Sequence, residues 1–311
     1  MKLGKIEAKY VDHMGSDITA VNAARASFGR KSEWLPVETS NFDEWAAANY
    51  EGAIVQNIDW SGKVVPKQFM PSTNTRPVVL PEGDVGLIKF LARGKTGEEW
   101  LSMIAEIQNG GMTARQIHDL LVQVRNTPTH WAPFAHAQIS MTEVVNLNTA
   151  RQRFKHAVGF AYSELSMRYV SEEPVMWLPE VWRSAPEGSA KQGSGDKVMN
   201  KVKPKSNNAV LEGTANGTVE ELAGLVSYMS IETYNALIAA GVSPEQARSM
   251  LGQNMMVHYT VTGSLYAWAN AYIQRSDPHA QKEIQELAAQ WDEIIAPLYP
   301  VSWAALTRGA Y

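Results

Sequence analysis

The chain has 311 residues, 45% of them hydrophobic, enough to bury a sizeable core, and its formal net charge of -4 gives no global attraction to nucleic acid or to an anionic membrane. It contains no cysteine, which excludes disulfides, cysteine-ligated zinc, iron-sulfur clusters and any mechanism that begins with an enzyme thiolate. The seven histidines form no HExxH or comparable pair at ligand spacing, so no metal site is expected. No apolar run approaches the roughly 18 to 20 residues of a membrane span, and the first residues lack the apolar core of a signal peptide, so the expectation is a cytoplasmic protein.

In chain order, residues 5–13 (KIEAKYVDH) read as a strand, followed by a turn at Met14-Gly15-Ser16 and a helix capped by Asp17 that runs through Ala20, Val21, Ala23, Ala24 and Phe28. Residues 31–81 are irregular and rich in Pro, Ser, Asn and Trp, with a short strand at 52–58. Helical periodicity resumes over 85–91, again over 98–108, and over 113–124, where Thr113 and Gln116 have the spacing of a capping box. In HAQISMTEVV, Ala137, Ile139 and Met141 alternate with polar residues, the period of a half-buried strand, and a helix is expected over 146–157. Residues 184–217 are poor in large apolar side chains and rich in Gly, Ser, Lys and Asn, the composition of a surface loop or of a lid.

The final third reads as helical. One helix spans 218–240 and stops at Gly241; the next opens at Ser243-Pro244 with Gln246 completing a capping box; a long helix covers 253–274, and another follows Asp277-Pro278 to about Ile295. No repeat and no clear linker divides the chain, so one mixed domain over 1–311 is expected.

Several residues have the chemistry of an anion site. Arg151 and Lys155 share a face at i,i+4 on the predicted helix, with Gln152 about 100 degrees away. Glu164, Ser166 and Arg168 point one way if the chain is extended; Arg and hydroxyl donors suit a phosphate monoester, and a carboxylate suits a ribose hydroxyl or a base N–H. The same three also describe a solvated strand edge on which a glutamate and an arginine pair. Arg248 falls early in the helix opened by Ser243, where an anion is favoured. Arg275 is near a helix C-terminus, where a cation is favoured for structural reasons alone, and His279 reads as a first-turn structural histidine. MLGQNMM reads as adaptable core packing.

Taken together these segments resemble the flavin-dependent thymidylate synthases. Their signature is RHR, then seven or eight residues, then Ser, followed by an Arg and Tyr; here KHA is followed by VGFAYSEL and then Ser166, Met167, Arg168 and Tyr169. VDHMGSDITAVNAARASF is similar to the family's opening strand and helix, HWAPFAH to its HxTPFEH segment, and MWLPEVWR followed by KQGS to a further stretch. SPEQARSML and GSLYAWANAYIQRSDPHAQKEI resemble its C-terminal helices. The departures are added material at about 45–81 and 97–124, Lys155-His156-Ala157 for RHR, Ala132 and Ala135 for the Thr and Glu of TPFE, and Ser264 and Tyr266 for the late NxR, with Asn270 kept.

The resemblance implies an α/β (α+β mixed) fold with a central, mostly antiparallel sheet and packed helices. It further implies transfer of a one-carbon unit from methylenetetrahydrofolate to C5 of dUMP, with FAD as cofactor and NADPH as reductant, in a homotetramer whose sites lie between subunits. Carried over by position, Gln152, Ser166, Arg168 and Arg248 hold the dUMP phosphate and sugar. Arg275 lies against the uracil ring, stabilising charge as N3–H ionises, and Glu164 sits between nucleotide and flavin. His130, Lys155, His156, Ser264, Tyr266 and Asn270 fall on the FAD side. Because the flavin residues drift while the nucleotide residues persist, two alternatives accompany this reading: a relative that installs another C5 substituent such as hydroxymethyl, and a nucleotide-binding protein without catalysis.

Overall fold

The computed structural model describes residues 1–37, 53–66, 68–69, 74–93, 97–110, 113–118, 130–169, 173–186, 193–201 and 217–308, without the side chains of 97–100 and 106. The strands are β1 (Lys2–Leu3), β2 (Glu7–Met14), β3 (Leu35–Pro36), β4 (Val55–Ile58), β5 (Arg76–Val79), β6 (Gln138–Asn146), β7 (Phe160–Glu164), β8 (Val175–Met176) and β9 (Met256–Ser264). The helices are α1 (Asp17–Arg25), α2 (Glu82–Ala92), α3 (Gly97–Asn109), α4 (Leu147–Arg153), α5 (Val219–Ala239), α6 (Pro244–Ala247), α7 (Leu265–Arg275), α8 (Lys282–Ile295) and α9 (Pro300–Thr307). This is the mixed α/β class expected. Strands β2-β6-β9-β7 form a four-stranded sheet in that order, β3-β5-β4 a three-stranded antiparallel sheet, and β1 pairs with β8 in parallel.

The fold divides into two compact units, each drawn from three stretches of chain. One comprises residues 1–9, 141–261 and 274–291; the other comprises 10–140, 262–273 and 292–311. Of the sequence expectations, parts of the 45–81 region, residues 119–124 of the 113–124 helix, Gly52 of the 52–58 strand, and 187–192 and 202–216 of the 184–217 segment lie outside the described residues. At 113–118 the Thr113 and Gln116 contacts are formed, Gln116 Oε1 accepting from Thr113 N at 3.0 Å.

Three local expectations are corrected. The start of α1 is capped by Ser16 in a box with Thr19, not by Asp17. The turn before it needs Gly15, which has φ 85°, and a Cβ there would meet Thr19 Oγ1 at 2.7 Å. Asp17 is fully buried and instead serves the start of α9, accepting from Val301 N at 2.9 Å and Ser302 N at 2.8 Å. The single helix expected over 253–274 is strand β9 followed by α7. Val257, Tyr259 and Val261 are buried while His258 and Thr260 are exposed, a two-residue period, and the β-branched run favours extended chain. Ser264 Oγ then accepts from Ala267 N at 3.2 Å and opens the helix.

Helix α4 closes at Arg153, four residues short of the expected end, with Asn146 capping its start by accepting from Thr149 N at 2.8 Å. Arg151 and Lys155 therefore share no helical face. Helix α5 stops as expected at Gly241, at φ 84°, where Val242 N returns to Leu237 O at 2.9 Å, and its start is closed by a Thr218–Glu221 capping box that the sequence reading had not named. Helix α6 has only one turn, Ser243 makes no side-chain cap, and Arg248–Met250 continue as a 3-10 turn. Because α8 begins at Lys282, His279 lies in the preceding turn, exposed, with Asp277 accepting from its N–H at 2.7 Å.

In the second unit Phe134, Ile139, Trp268 and Trp303 are fully buried. Tyr299 Oη donates to Met14 O at 3.0 Å and fits beside His13. Burial, and then the Lys63 ammonium, drives the His13 pKa down to about 4, against opposing pulls from Asp12 and Asp59. Folded His13 stays neutral while an unfolded histidine protonates near 6.5, so the stability it contributes is present above that pH and is lost as pH falls toward 4. His13→Gln is expected to flatten the fall of the urea midpoint across that window; an equally steep fall in the variant refutes the assignment.

Candidate active site

In the first unit, β7 carries Glu164 to its C-terminal end, and the chain then turns: Leu165 N bonds His258 O at 2.8 Å and Tyr169 N returns to Ser166 O at 3.0 Å. The extended register expected for Glu164, Ser166 and Arg168 is thus replaced by a turn, which nonetheless gathers all three. They line a cavity of about 850 Å³ together with Arg151, Arg248 and Glu245. Ser166 Oγ accepts from Arg168 N at 3.4 Å and from Nε at 3.3 Å, which ties the guanidinium to the turn.

Arg151 enters from α4 and Arg248 from the 3-10 turn after α6. Arg248 is therefore past the end of a one-turn helix, and the helix-dipole argument for it does not apply. Three guanidiniums and a hydroxyl share this cavity with the Glu164, Glu173 and Glu245 carboxylates, and the planar forks of the guanidiniums match the geometry of phosphate oxygens. Glu164 is held above the usual carboxylate range by desolvation, with the Arg248 charge pulling it back.

Gln152, His156 and Arg275 form a second group in the same unit and do not line that cavity. Arg275, the last residue of α7, donates from Nε to His156 Nε2 at 2.8 Å and from Nη2 to the Gln152 carbonyl at 3.1 Å. A guanidinium has no acceptor, so the imidazole Nε2 must be bare and its proton must sit on Nδ1. Burial and the Arg275 and Arg153 cations bring the His156 pKa down to about 4, which keeps the ring neutral and able to accept. The Gln152 side chain donates to Gln281. Lys155, just beyond α4, is exposed.

In the second unit His130 lines a cavity of about 1030 Å³ with Arg25, Arg30, Phe90, Trp131 and His136. Its ring stacks on Phe90 with centroids 5.7 Å apart. Tyr266 stacks on the lining residue Trp131 at 5.4 Å, Ser264 is occupied as the cap of α7, and Asn270 is half-buried on that helix. Sequence reasoning missed Glu245, Arg25 and Arg30 as lining residues, although Arg25 lies within the AARASF stretch, Arg30 two residues after it, and Glu245 in SPEQARSML. It also missed Glu143, which shares with Ile139, Met141 and Val145 the buried parity of β6.

None of the described helices is long and apolar enough to cross a membrane, and among the described residues no group of three or more His, Cys, Asp or Glu side chains is placed to hold a metal ion. Fold and cavities together define an α/β protein with an arginine-lined pocket and a separate cavity of aromatic and cationic walls. The sequence pattern described as thymidylate synthase complementing protein matches residues 81–301, and the chain belongs to that family.

Among its relatives, a flavin-dependent thymidylate synthase of Thermotoga neapolitana is 29% identical over 182 residues, covering 58% of this chain and 72% of that one. A flavin-dependent thymidylate synthase of Ehrlichia ruminantium (strain Gardel) is 27% identical over 257 residues, 78% of this chain and 80% of that one. Among solved structures, the UMP/dUMP methylase PolB from Streptomyces cacaoi bound with 5-Br dUMP superposes with a TM-score of 0.57 at 18% identity, covering 100% of this chain and 99% of that one, a likeness of fold.

Proposed function

We propose that the protein is a flavin-dependent enzyme that modifies C5 of dUMP, transferring the one-carbon unit of methylenetetrahydrofolate with NADPH as reductant to give dTMP. The observation that carries this reading is the cavity on which Arg151, Ser166, Arg168 and Arg248 converge, with Glu164 beside them. It offers charge-assisted donors for a nucleotide monophosphate and an acceptor for a ribose hydroxyl or base N–H. With no cysteine in the chain, C5 is not activated by a protein thiolate at C6. Negative charge developing on the ring as N3–H ionises must instead be met by a preorganised cation, the role given to Arg275, whose Nε and Nη2 are already anchored and whose Nη1 is left for the ligand. Arg275 does not line the phosphate cavity of its own chain, and the expected homotetramer, with sites between subunits, is where the two groups meet.

The second unit's cavity fits FAD in kind. Phe90 and Trp131 supply planar walls, Arg25 and Arg30 supply cations, and the Arg25 Nε lies buried without a hydrogen-bond partner. His130 and Trp131 line this cavity, and Tyr266 stacks on Trp131. Reduced FAD, when bound, supplies the hydride for the transferred carbon.

A second reading is favoured by Ala132, Ala135 and Ala157, small residues where the family signature has Thr, Glu and Arg: a relative that installs a different C5 substituent, such as hydroxymethyl. The test supplies purified protein with FAD, methylenetetrahydrofolate and NADPH and follows dUMP, and UMP in parallel, by mass spectrometry. Formation of dTMP is the expected result, and a heavier, oxygenated product selects the second reading. Binding of dUMP without any change in it indicates a non-catalytic nucleotide-binding protein, and failure of dUMP to bind refutes all three.

A further inference from the structure

Arg153, the last residue of α4, is a fully buried cation that the reaction proposed above does not use. Its Nε donates to Glu143 Oε1 and Oε2 at 3.3 and 3.1 Å, a carboxylate that is itself fully buried. Tyr259 Oη donates to Glu143 Oε2 at 2.6 Å. The Arg153 Nη1 donates to Tyr162 Oη at 2.5 Å, and that hydroxyl donates onward to the His156 carbonyl at 2.7 Å. The guanidinium carbon lies 4.4 Å from the Phe160 ring centre and 4.8 Å from that of Trp291, so aromatic faces enclose it. Burying an ion pair of this kind contributes little to stability against an apolar replacement of the same shape, so stability alone does not account for it.

The turn over residues 152–156 connects this network to Arg275. On one side it is pinned by the Arg153 side chain and by the His156 carbonyl. On the other it presents both acceptors of Arg275: the Gln152 carbonyl and the His156 Nε2. We propose that the buried Glu143–Arg153–Tyr162 network is a positioning device that fixes this turn and thereby the orientation of the Arg275 guanidinium. Arg153 and Tyr162 are thus positioning residues that act on the ligand only through Arg275. The absence of positive charge on the His156 ring, which the adjacent Arg153 cation reinforces, fits the same arrangement. The inference rests on the function proposed above only for what Arg275 does, not for how it is held.

The test is Tyr162→Phe in the full chain, which keeps the ring among Phe154 and Phe160 and removes the one hydroxyl joining Arg153 to the His156 carbonyl. Two quantities are read: hydrogen exchange of the Arg275 Nε–H by NMR of arginine-labelled protein without substrate, and kcat and KM for dUMP. The expected result is Arg275 Nε–H exchange about tenfold faster and kcat lower by about tenfold or more, with KM within about twofold. Tyr259→Phe, which removes one donor to Glu143 but keeps its ring on Phe154 and leaves the Glu143–Arg153 pair and both Tyr162 bonds in place, is the control and is expected to leave that exchange near the wild-type rate. Unchanged exchange in Tyr162→Phe, or equal acceleration in both variants at equal loss of thermal stability, overturns the proposal. If wild-type protein fails to act on dUMP, the functional reading falls while the exchange measurement still decides the positioning role.

Discussion

Replacing Arg275 with alanine is expected to lower kcat for dUMP by about 10² to 10³, the loss that follows removal of one preorganised donor at a developing charge, and to change the nucleotide Kd by only a few-fold. Arg168→Ala should do the reverse. Losing one of three guanidiniums on the cavity proposed for the phosphate, at about 1.5 to 3 kcal/mol for a charge-assisted contact, is expected to raise Kd roughly 10- to 100-fold and to leave turnover at saturation largely intact. Steady-state kinetics and calorimetric titration of the two variants check this, and equal effects on both parameters in both variants contradict the assigned roles. Mixing the two variants after reversible dissociation adds a test of shared sites. If a site takes Arg168 from one copy and Arg275 from another, roughly a quarter of sites in a random mixture regain both. No recovery of activity argues that one chain supplies the whole site.

The largest effect on stability is expected at Asp17. Its carboxylate accepts two backbone N–H groups at the start of α9, both partners at least half-buried. Alanine there leaves two orphaned donors at a helix start that no other cap serves, and the cost should be about 3 kcal/mol, at the sum of a lost cap and an unsatisfied buried N–H. Asp17→Asn keeps one acceptor oxygen and should recover part of the loss. Burial raises the Asp17 pKa, so the folded state holds that proton more tightly than the unfolded chain does. The associated stability is present below the unfolded carboxylate pKa and declines as pH rises through the folded one, a dependence that Asn removes. Urea unfolding of the three proteins over acid pH measures both effects; a cost in Asp17→Ala below about 1 kcal/mol would show that α9 does not depend on this cap.

Local signals were readable wherever a side chain acts on its own neighbours. The Thr113–Gln116 box, the turn at Gly241 and the alternation along β6 all follow from contacts within a few residues. Reading failed where a partner lies far along the chain. Asp17 was assigned to its own helix because the spacing allows it, but its partners are Val301 and Ser302. Residues 256–264 were read as helix because apolar residues in a mixed run satisfy either period until one face is known to be buried.

Composition and motif order, then, settled the broad outcome without coordinates: a cysteine-free chain of mixed α/β class in the thymidylate synthase complementing protein family, with Ser166, Arg168 and Arg248 as anion ligands in prospect. Which cations share a cavity was decided only by tertiary structure, because α4, the turn after β7 and the turn after α6 are brought together by packing that no local pattern encodes. The same holds for Arg275, whose bonds to His156 and Gln152 span more than a hundred residues of chain. A hydrogen bond over such a separation depends on loop closure and core packing, so it appears only when the whole chain has folded.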